Sequence, residues 1–270
     1  MNLDGKSTIV TGAAGGIGAA LARRFHAAGA RVVVADRDAD RLAAVADELN
    51  AIRPGSALAV VADISTEQGN IDLINSGREA FGFIDLFFAN AGVAVGTTLE
   101  DTDEATWNMV MNINTHAHRW AAKHLMGEWL AAGEGYFCST ASAAGLLSQI
   151  GSGTYSVSKH AAVAFAEWLS ITYGDRGIRV TTLCPQGVNT NMLNPPDAGG
   201  IANTGGSAVK ASGDVLEPEQ VADIVYEHIQ AEKFLVMPHP EVHTYEQRKV
   251  ADRDRWLAGM RRLQAKVAGY

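Results

Sequence analysis

The sequence predicts an α/β fold: one doubly wound sheet, mostly or wholly parallel, of about seven strands with helices on both faces. Three observations carry this. Short apolar runs of strand type alternate with longer stretches of helical periodicity. Successive runs end in a small or polar residue, as strands do when their carboxyl edges line one crevice. A glycine cluster joins the first run to the first helix. With 270 residues, 47% hydrophobic and 19% charged, the chain suffices for one such domain with a substantial core and leaves little for a second.

Taken in order, Ser7 to Thr11 is the first strand, and Thr11-Gly12-Ala13-Ala14-Gly15-Gly16-Ile17-Gly18 precedes a helical pattern from Ala19 to Ala28. A strand, a tight glycine turn and a helix start supply what a pyrophosphate needs: close backbone approach, free amides and the positive end of a helix dipole. The next strand, Arg31 to Ala35, is nearly all valine and stops at Asp36, 18 residues beyond Gly18. A carboxylate at that tip accepts hydrogen bonds from a ribose diol and repels a 2'-phosphate, so Asp36 predicts NAD over NADP. Neighbouring Arg37 softens that choice. A helix from Ala39 to Asn50 follows, then a strand from Leu58 to Ala62 ending at Asp63-Ile64, and a fourth from Ile84 to Ala89 ending at Asn90-Ala91-Gly92.

From Glu104 to Ala132 the pattern is one long helix in which Asn112 and Asn114, poor helix formers, mark a local kink with a side chain bonded to backbone or water. His116, His118 and His124 have no evident carboxylate partner and read as surface or packing residues; no histidine reads as catalytic. Gly135 to Thr140 is the fifth strand, followed by Ala141-Ser142-Ala143-Ala144-Gly145. Ile178 to Cys184 is the sixth, followed by Pro185-Gln186-Gly187-Val188-Asn189-Thr190. The segment 191–213 has no periodicity and reads as a lid at the ligand edge. Pro218 to Gln230 returns to helix and Phe234 to Met237 to strand. From Glu241 onward, Trp256, Leu257, Met260, Leu263 and Val267 form one helical stripe that packs on the body or on a second subunit.

The chemistry concentrates at Tyr155-Ser156-Val157-Ser158-Lys159, at the start of an apolar helical run from Val157 to Tyr173. Side chains at i and i+4 share one helical face. A lone phenol, with a pKa near ~10, is a poor acid or base at neutral pH. A cation beside it favours the phenolate, so Lys159 is expected to lower the Tyr155 pKa and make it usable. A formal net charge of -8 argues against nucleic acid as a partner. Cys138 and Cys184 lie in apolar runs with no Cys or His at ligand spacing, so both read as reduced core residues without a metal. No leader-like segment and no membrane-length run stands out, and a cytoplasmic location is expected.

With these pieces in order, the chain resembles the short-chain dehydrogenase/reductase family, in its compact single-domain branch. The match runs from Leu3 to about Thr190 through Thr11-Gly-x-x-x-Gly16-Ile-Gly18, Asp63, Asn90-Ala-Gly92, Asn114, Ser142 and Tyr155-x-x-x-Lys159. The resemblance implies a single Rossmann-type dinucleotide-binding and catalytic domain over 1–270, with a substrate lid at 191–216 and a carboxyl-terminal helical extension at 241–270. It implies a catalytic set of Asn114, Ser142, Tyr155 and Lys159. Ser139 and Thr140 are competing hydroxyls, and Ser142 is preferred because Ala-Ala-Gly-Leu follows it. Implied cofactor contacts are Gly12, Gly16, Ile17, Gly18, Asp36, Arg37, Asp63, Ile64, Asn90, Tyr155, Lys159, Val188 and Thr190. Asn90 would lie on the adenosine side, and Asn114 would anchor a water connecting Lys159 to solvent. Substrate contacts are sought at Ser142, Tyr155, Gln149, Gln186 and Met192, with Val93, Val95, Leu193 and Ala198 behind them.

The implied function is an NAD-dependent oxidoreductase transferring hydride between a nicotinamide and a secondary alcohol or ketone, assembled as a homodimer or homotetramer. An NADP-dependent carbonyl reductase and a non-catalytic nucleotide sensor are the alternatives. Two departures stand out: Gln186 intervenes before Gly187, and the common carboxyl-terminal Asp-Gly-Gly is absent, replaced by Pro238-His239-Pro240 and the tail.

Overall fold

The computed structural model describes residues 1–96, 98–193 and 213–268. The expected lid therefore falls largely outside the described residues, and Ala198 with it. Seven strands form one sheet, every pair parallel, in the order β3-β2-β1-β4-β5-β6-β9. These are β1 (Ser7–Thr11), β2 (Arg31–Asp36), β3 (Ala57–Val61), β4 (Leu86–Ala89), β5 (Gly135–Thr140), β6 (Ile178–Leu183) and β9 (Leu235–Val236). A separate two-residue parallel pair, β7 (Gly187–Val188) with β8 (Val215–Leu216), sits beyond the end of β6.

The two faces of the sheet are packed by different helices because strand side chains alternate. Val10, Val32, Val34, Leu86, Phe88, Tyr136 and Cys138 belong to the core that also holds Leu21 and Phe25 of α1 (Gly16–Ala27), Leu42 and Leu49 of α2 (Ala39–Ile52), and Val221, Val225 and Ile229 of α8 (Pro218–Gln230). Ile9, Val33, Phe87 and Phe137 point the other way. They meet Leu73 and Ile74 of α3 (Glu67–Phe81), Leu125 and Trp129 of α5 (Ala117–Ala132), and Ala166 and Leu169 of α7 (Gly153–Tyr173). The sequential order reverses between β1 and β4, and in an open parallel sheet a ligand crevice lies where neighbouring crossovers diverge.

The kink expected at Asn112 and Asn114 is present and takes a definite form: α4 (Glu104–Met111) runs into a π turn, Asn112–His116, before α5. The widened turn accompanies the buried Asn114 side chain, whose amide bonds the backbone of Val93. The tail is two helices, α9 (Pro240–Ala251) and α10 (Arg253–Ala268), because Asp252 has extended backbone and its carboxylate accepts the Arg255 N–H at 2.9 Å, ending one helix and capping the next. No helix among the described residues is long and apolar enough to cross a membrane.

Candidate active site

The glycine turn is built by contact. A Cβ on Gly18 would lie 2.1 Å from the Gly12 carbonyl oxygen, and one on Gly12 would lie 2.8 Å from the Ala91 Cα. Only hydrogens fit there, so α1 starts hard against the end of β1 and the β4 edge closes over it. Gly16 has φ +53°, where glycine carries no Cβ penalty. Helix α1 has no side-chain cap at Gly15, so its first-turn N–H groups, carried by residues lining the crevice, remain available to an anion.

Asp36 closes the other wall of this half. Its carboxylate accepts from the N–H groups of Ala14 (3.2 Å), Arg37 (2.7 Å) and Asp38 (3.2 Å), which fixes it at the strand tip beside the glycine turn. Asp63 is held below the ordinary carboxylate range by hydrogen bonding to Ser65, helped by the Arg37 charge. Asn90 braces three strand ends. Its N–H and that of Ala91 donate to Thr11 Oγ1 at 3.0 Å, its Nδ2 donates to the Thr11 carbonyl at 2.9 Å, and Thr140 donates to its Oδ1 at 2.9 Å. The Asn90 side chain is thus engaged within the protein, a tie between Thr11 and Thr140 that no local sequence signal announces.

At the far end of the crevice lie Ser142, Tyr155 and Lys159. Ser142 Oγ accepts the Ala144 N–H at 3.1 Å, makes a long contact of 3.5 Å with the Pro185 carbonyl, and interacts with the Tyr155 hydroxyl. The Ser142 hydroxyl lines the crevice beside Tyr155. The competing hydroxyls point elsewhere: Ser139 donates to Thr182 and Thr140 to Asn90. A Cβ on Gly145 would lie 2.5 Å from the Lys159 carbonyl oxygen, so α6 (Ala143–Leu146) presses its backbone onto α7 and sets Ser142 against the tyrosine helix. Asn114 is fully buried; its Oδ1 accepts the Val93 N–H and its Nδ2 donates to the Val93 carbonyl and to Ser158 Oγ. A Cβ on Gly92 would come within 3.2 Å of Lys159 Nζ and 3.3 Å of Asn114 Oδ1, which brings those two side chains to one small space.

The charge state of the pair departs from the sequence expectation. The Tyr155 pKa is raised, not lowered: burial of the phenol outweighs the opposing help of the Ser142 hydroxyl. Lys159 Nζ lies 5.7 Å from the phenol ring centroid and donates one hydrogen to the Thr140 carbonyl at 2.8 Å, at the end of β5. Burial also pulls Lys159 down, from an ordinary 10.5 to about 8. Because the folded pKa is the lower one, the unfolded chain binds more protons between about pH 8 and 10.5, and stability rises with pH across that window. The raised pKa values of the buried Cys138 and Cys184 work in the opposite direction, so the expected result is a comparison: urea unfolding at pH 8 and pH 10 should show a more favourable change with pH in the parent chain than in Lys159→Met.

Every expected cofactor residue lines the same crevice of about 790 Å³, in the upper part of the range for ligand pockets. Gln149, Gln186, Met192, Val93 and Leu193 line it as well, whereas Val95 does not. Met192 Sδ lies 4.0 Å from the Tyr155 hydroxyl. The histidines divide. His118 is buried against Phe137 with its pKa pushed down to about 3 by burial, a packing residue. His124 does have a carboxylate partner, Glu67 of α3 at 2.8 Å, a pairing across 57 positions that spacing does not reveal. Among the described residues no cluster of His, Cys, Asp or Glu is arranged to hold a metal.

The fold and the crevice together have a counterpart among known proteins. Residues 6–199 match the short chain dehydrogenase family profile. The chain belongs to the short-chain dehydrogenase family. Two curated relatives in this family are a 1-deoxy-11-beta-hydroxypentalenate dehydrogenase of Streptomyces exfoliatus, 35% identical over 89% of this chain and 86% of its own length, and a meso-2,3-butanediol dehydrogenase of Serratia marcescens, 32% identical over 83% and 87%. Among solved structures, a short chain dehydrogenase/reductase from Burkholderia phymatum in complex with NAD superposes with a TM-score of 0.85 at 28% identity, covering 94% of this chain and 96% of that one.

Proposed function

We propose that this short-chain dehydrogenase is an NAD-dependent oxidoreductase that moves hydride between a nicotinamide cofactor and a secondary alcohol or ketone. One observation carries the reading: the uncapped glycine turn, the Asp36 carboxylate and the Ser142, Tyr155 and Lys159 side chains line one continuous crevice. The cradle suits a dinucleotide, because side chains at Gly12, Gly16 or Gly18 would fill or strain it. Gly16, Ile17 and Gly18 would hold the pyrophosphate, Asp36 a ribose diol, Asp63 and Ile64 the adenine, and Val188 and Thr190 the carboxamide. When bound, the nicotinamide supplies the hydride acceptor or donor.

The chain's own residues handle the proton. Ser142 Oγ donates to the substrate oxygen and orients the carbinol. Tyr155 Oη takes the hydroxyl proton during oxidation and returns it during reduction. For that work the phenol must fall from its raised value. We infer that a proton on Lys159, whose pKa of about 8 lies within reach of neutral pH, supplies the lowering charge when Nζ turns from Thr140 toward the crevice. Asn114, sharing a small space with Nζ, would anchor the water that links Lys159 to solvent.

The preference for NAD rests on Asp36. Arg37, the cation that could receive a 2'-phosphate, has the Asp63 carboxylate close enough to feel its charge. Titration is expected to give a lower dissociation constant for NADH than for NADPH, and Asp36→Ser is expected to narrow the gap. Equal affinities in the parent chain would overturn the preference and favour the NADP-dependent reading. Val93, Met192 and Leu193 support a medium-sized apolar secondary alcohol as substrate, testable by following NADH formation over sterol, terpene, aromatic and acyl alcohols. The exposed Val157, Trp168 and Ile171 of α7 support a homodimer or homotetramer, and the free, buried Cys138 and Cys184 support a cytoplasmic location.

A further inference from the structure

Two buried side chains at opposite ends of α9 hold backbone on both sides of the substrate end of the crevice, and neither takes part in the chemistry above. His239, at the N-cap of α9 and 1% exposed, accepts the Gln186 N–H on Nδ1 at 3.1 Å and meets the Gly187 carbonyl through Nε2 at 2.9 Å. These partners determine the tautomer. An amide N–H only donates and a carbonyl only accepts, so Nδ1 keeps its lone pair and Nε2 carries the hydrogen. Lys249, 8% exposed, donates to the carbonyls of Leu146 at 2.6 Å and Leu147 at 2.8 Å, and its third hydrogen faces His160 Nε2 at 3.4 Å. His160 Nδ1 meets the Ser156 carbonyl at 2.8 Å, which leaves its Nε2 as the acceptor that Lys249 needs.

What these side chains grip is the wall around the reacting oxygen. The Pro185 carbonyl accepts the Ala143 N–H at 2.8 Å and touches Ser142 Oγ, so the turn that His239 holds also seats Ser142. Leu146 ends α6 and Leu147 caps it, Ser142 being the cap at its start, and next comes Ser148 at φ +151°, a backbone conformation rare for a side chain other than glycine. That segment leads to Gln149, whose N–H donates to Ser156 Oγ of α7 at 2.7 Å, so Ser156 holds its far end and Lys249 its near end. Helix α9 is itself pinned by Val242, which is fully buried.

We propose that α9 is a positioning brace for the substrate wall, with His239 setting the Pro185–Gly187 turn and Lys249 setting the end of α6 and the segment that carries Gln149. The proposal rests on the dehydrogenase reading for its kinetic consequence, while the structural consequence stands apart from it. It also assigns work to the segment that replaces the common carboxyl terminus. Both residues act through backbone and touch neither substrate nor cofactor, so displacement of Ser142 should appear in kcat more than in nucleotide affinity.

The test uses the full chain with His239→Leu and Lys249→Met, which remove the polar contacts and keep bulk. Lys249→Arg keeps the donors, and Val242→Ala loosens the same helix without touching either loop. With a secondary alcohol found by the substrate screen, kcat is expected to fall by about 10- to 100-fold in the first two, with little change in the NADH dissociation constant. Lys249→Arg should recover most of the loss, and Val242→Ala should lower the melting temperature with kcat kept. Hydrogen–deuterium exchange should rise in peptides covering 141–150 for Lys249→Met and 184–189 for His239→Leu, with 7–28 unchanged. Parent-like kcat and exchange in both polar variants, or a kcat loss in Val242→Ala equal to theirs, would overturn the brace. A parent chain that turns over no alcohol counts against the dehydrogenase reading; exchange then decides alone, with lost protection in both loops upholding the brace and retained protection overturning it.

Discussion

Replacing Tyr155 with phenylalanine is expected to lower kcat for alcohol oxidation by about 2 to 4 orders of magnitude, with the NADH dissociation constant close to that of the parent chain. The substitution removes one oxygen and keeps the ring, so packing of α7 is preserved. That oxygen is the atom proposed to exchange a proton with the substrate. Ser142 stays in place, because its backbone is seated by Ala143 on Pro185 and by Gly145 on α7. What is lost is the proton acceptor alone, and the residual rate reports what orientation and the Ser142 hydrogen bond still contribute. Steady-state rates with the best alcohol of a screen, alongside fluorescence titration with NADH, measure both. Unchanged turnover in Tyr155→Phe would sink the acid-base assignment, and a parallel loss of nucleotide affinity would mean that the ring, not the hydroxyl, had been disturbed.

The second large effect is expected from a single methyl group. In Gly18→Ala the new Cβ must occupy a point 2.1 Å from the Gly12 carbonyl oxygen and 2.7 Å from Asn90 Nδ2. The first of these is backbone, which cannot swing aside as a flexible side chain can. Either α1 backs away from β1 or the turn opens, and a stability loss of about 1–3 kcal/mol follows, together with loss of NADH binding as the first-turn amides move. Gly15→Ala is the control. Gly15 is fully extended and a Cβ there meets nothing within 4 Å, so the melting temperature should hold. Urea unfolding and NADH titration on both variants separate crowding from any general intolerance of the turn; equal stability of Gly18→Ala and the parent would contradict the packing argument.

Much of this was written in the residue pattern, for reasons that can be named. A strand buried on both faces has no polar side, so Val32, Val33 and Val34 announce β2 without any need to know what packs on it. Tyr155 and Lys159 share a face because the helix period fixes it, and Gly12, Gly16 and Gly18 stand where the turn excludes side chains. What stayed hidden depends on contacts between distant positions. Helix α3 buries only Asn70, Leu73, Ile74 and Gly77, too thin a stripe for periodicity to mark its ends. The irregularity at Asn112–His116 was legible from its two asparagines, but its form, a π turn, was not, because one inserted residue leaves a helical pattern nearly continuous. The Tyr155 shift has the opposite sign from the one a Tyr-x-x-x-Lys spacing suggests, because spacing puts the amine on the right face without revealing how far the phenol is buried, nor that the amine bonds the Thr140 carbonyl. His239 was legible only as part of a departure from the common carboxyl terminus, and its two backbone partners lie 52 and 53 positions away.

The crowding at Gly145 has a wider meaning. Since the α6 backbone rests directly on the Lys159 carbonyl, no layer of side chains lies between the element that bears the hydroxyl donor and the one that bears the phenol and the amine. The two backbones touch, so a displacement of one is passed directly to the other and alters the spacing of Ser142 from Tyr155. Met192 reaches the Tyr155 hydroxyl from the opposite rim at 4.0 Å, so its replacement is expected to change the burial of the phenol together with the shape of the crevice.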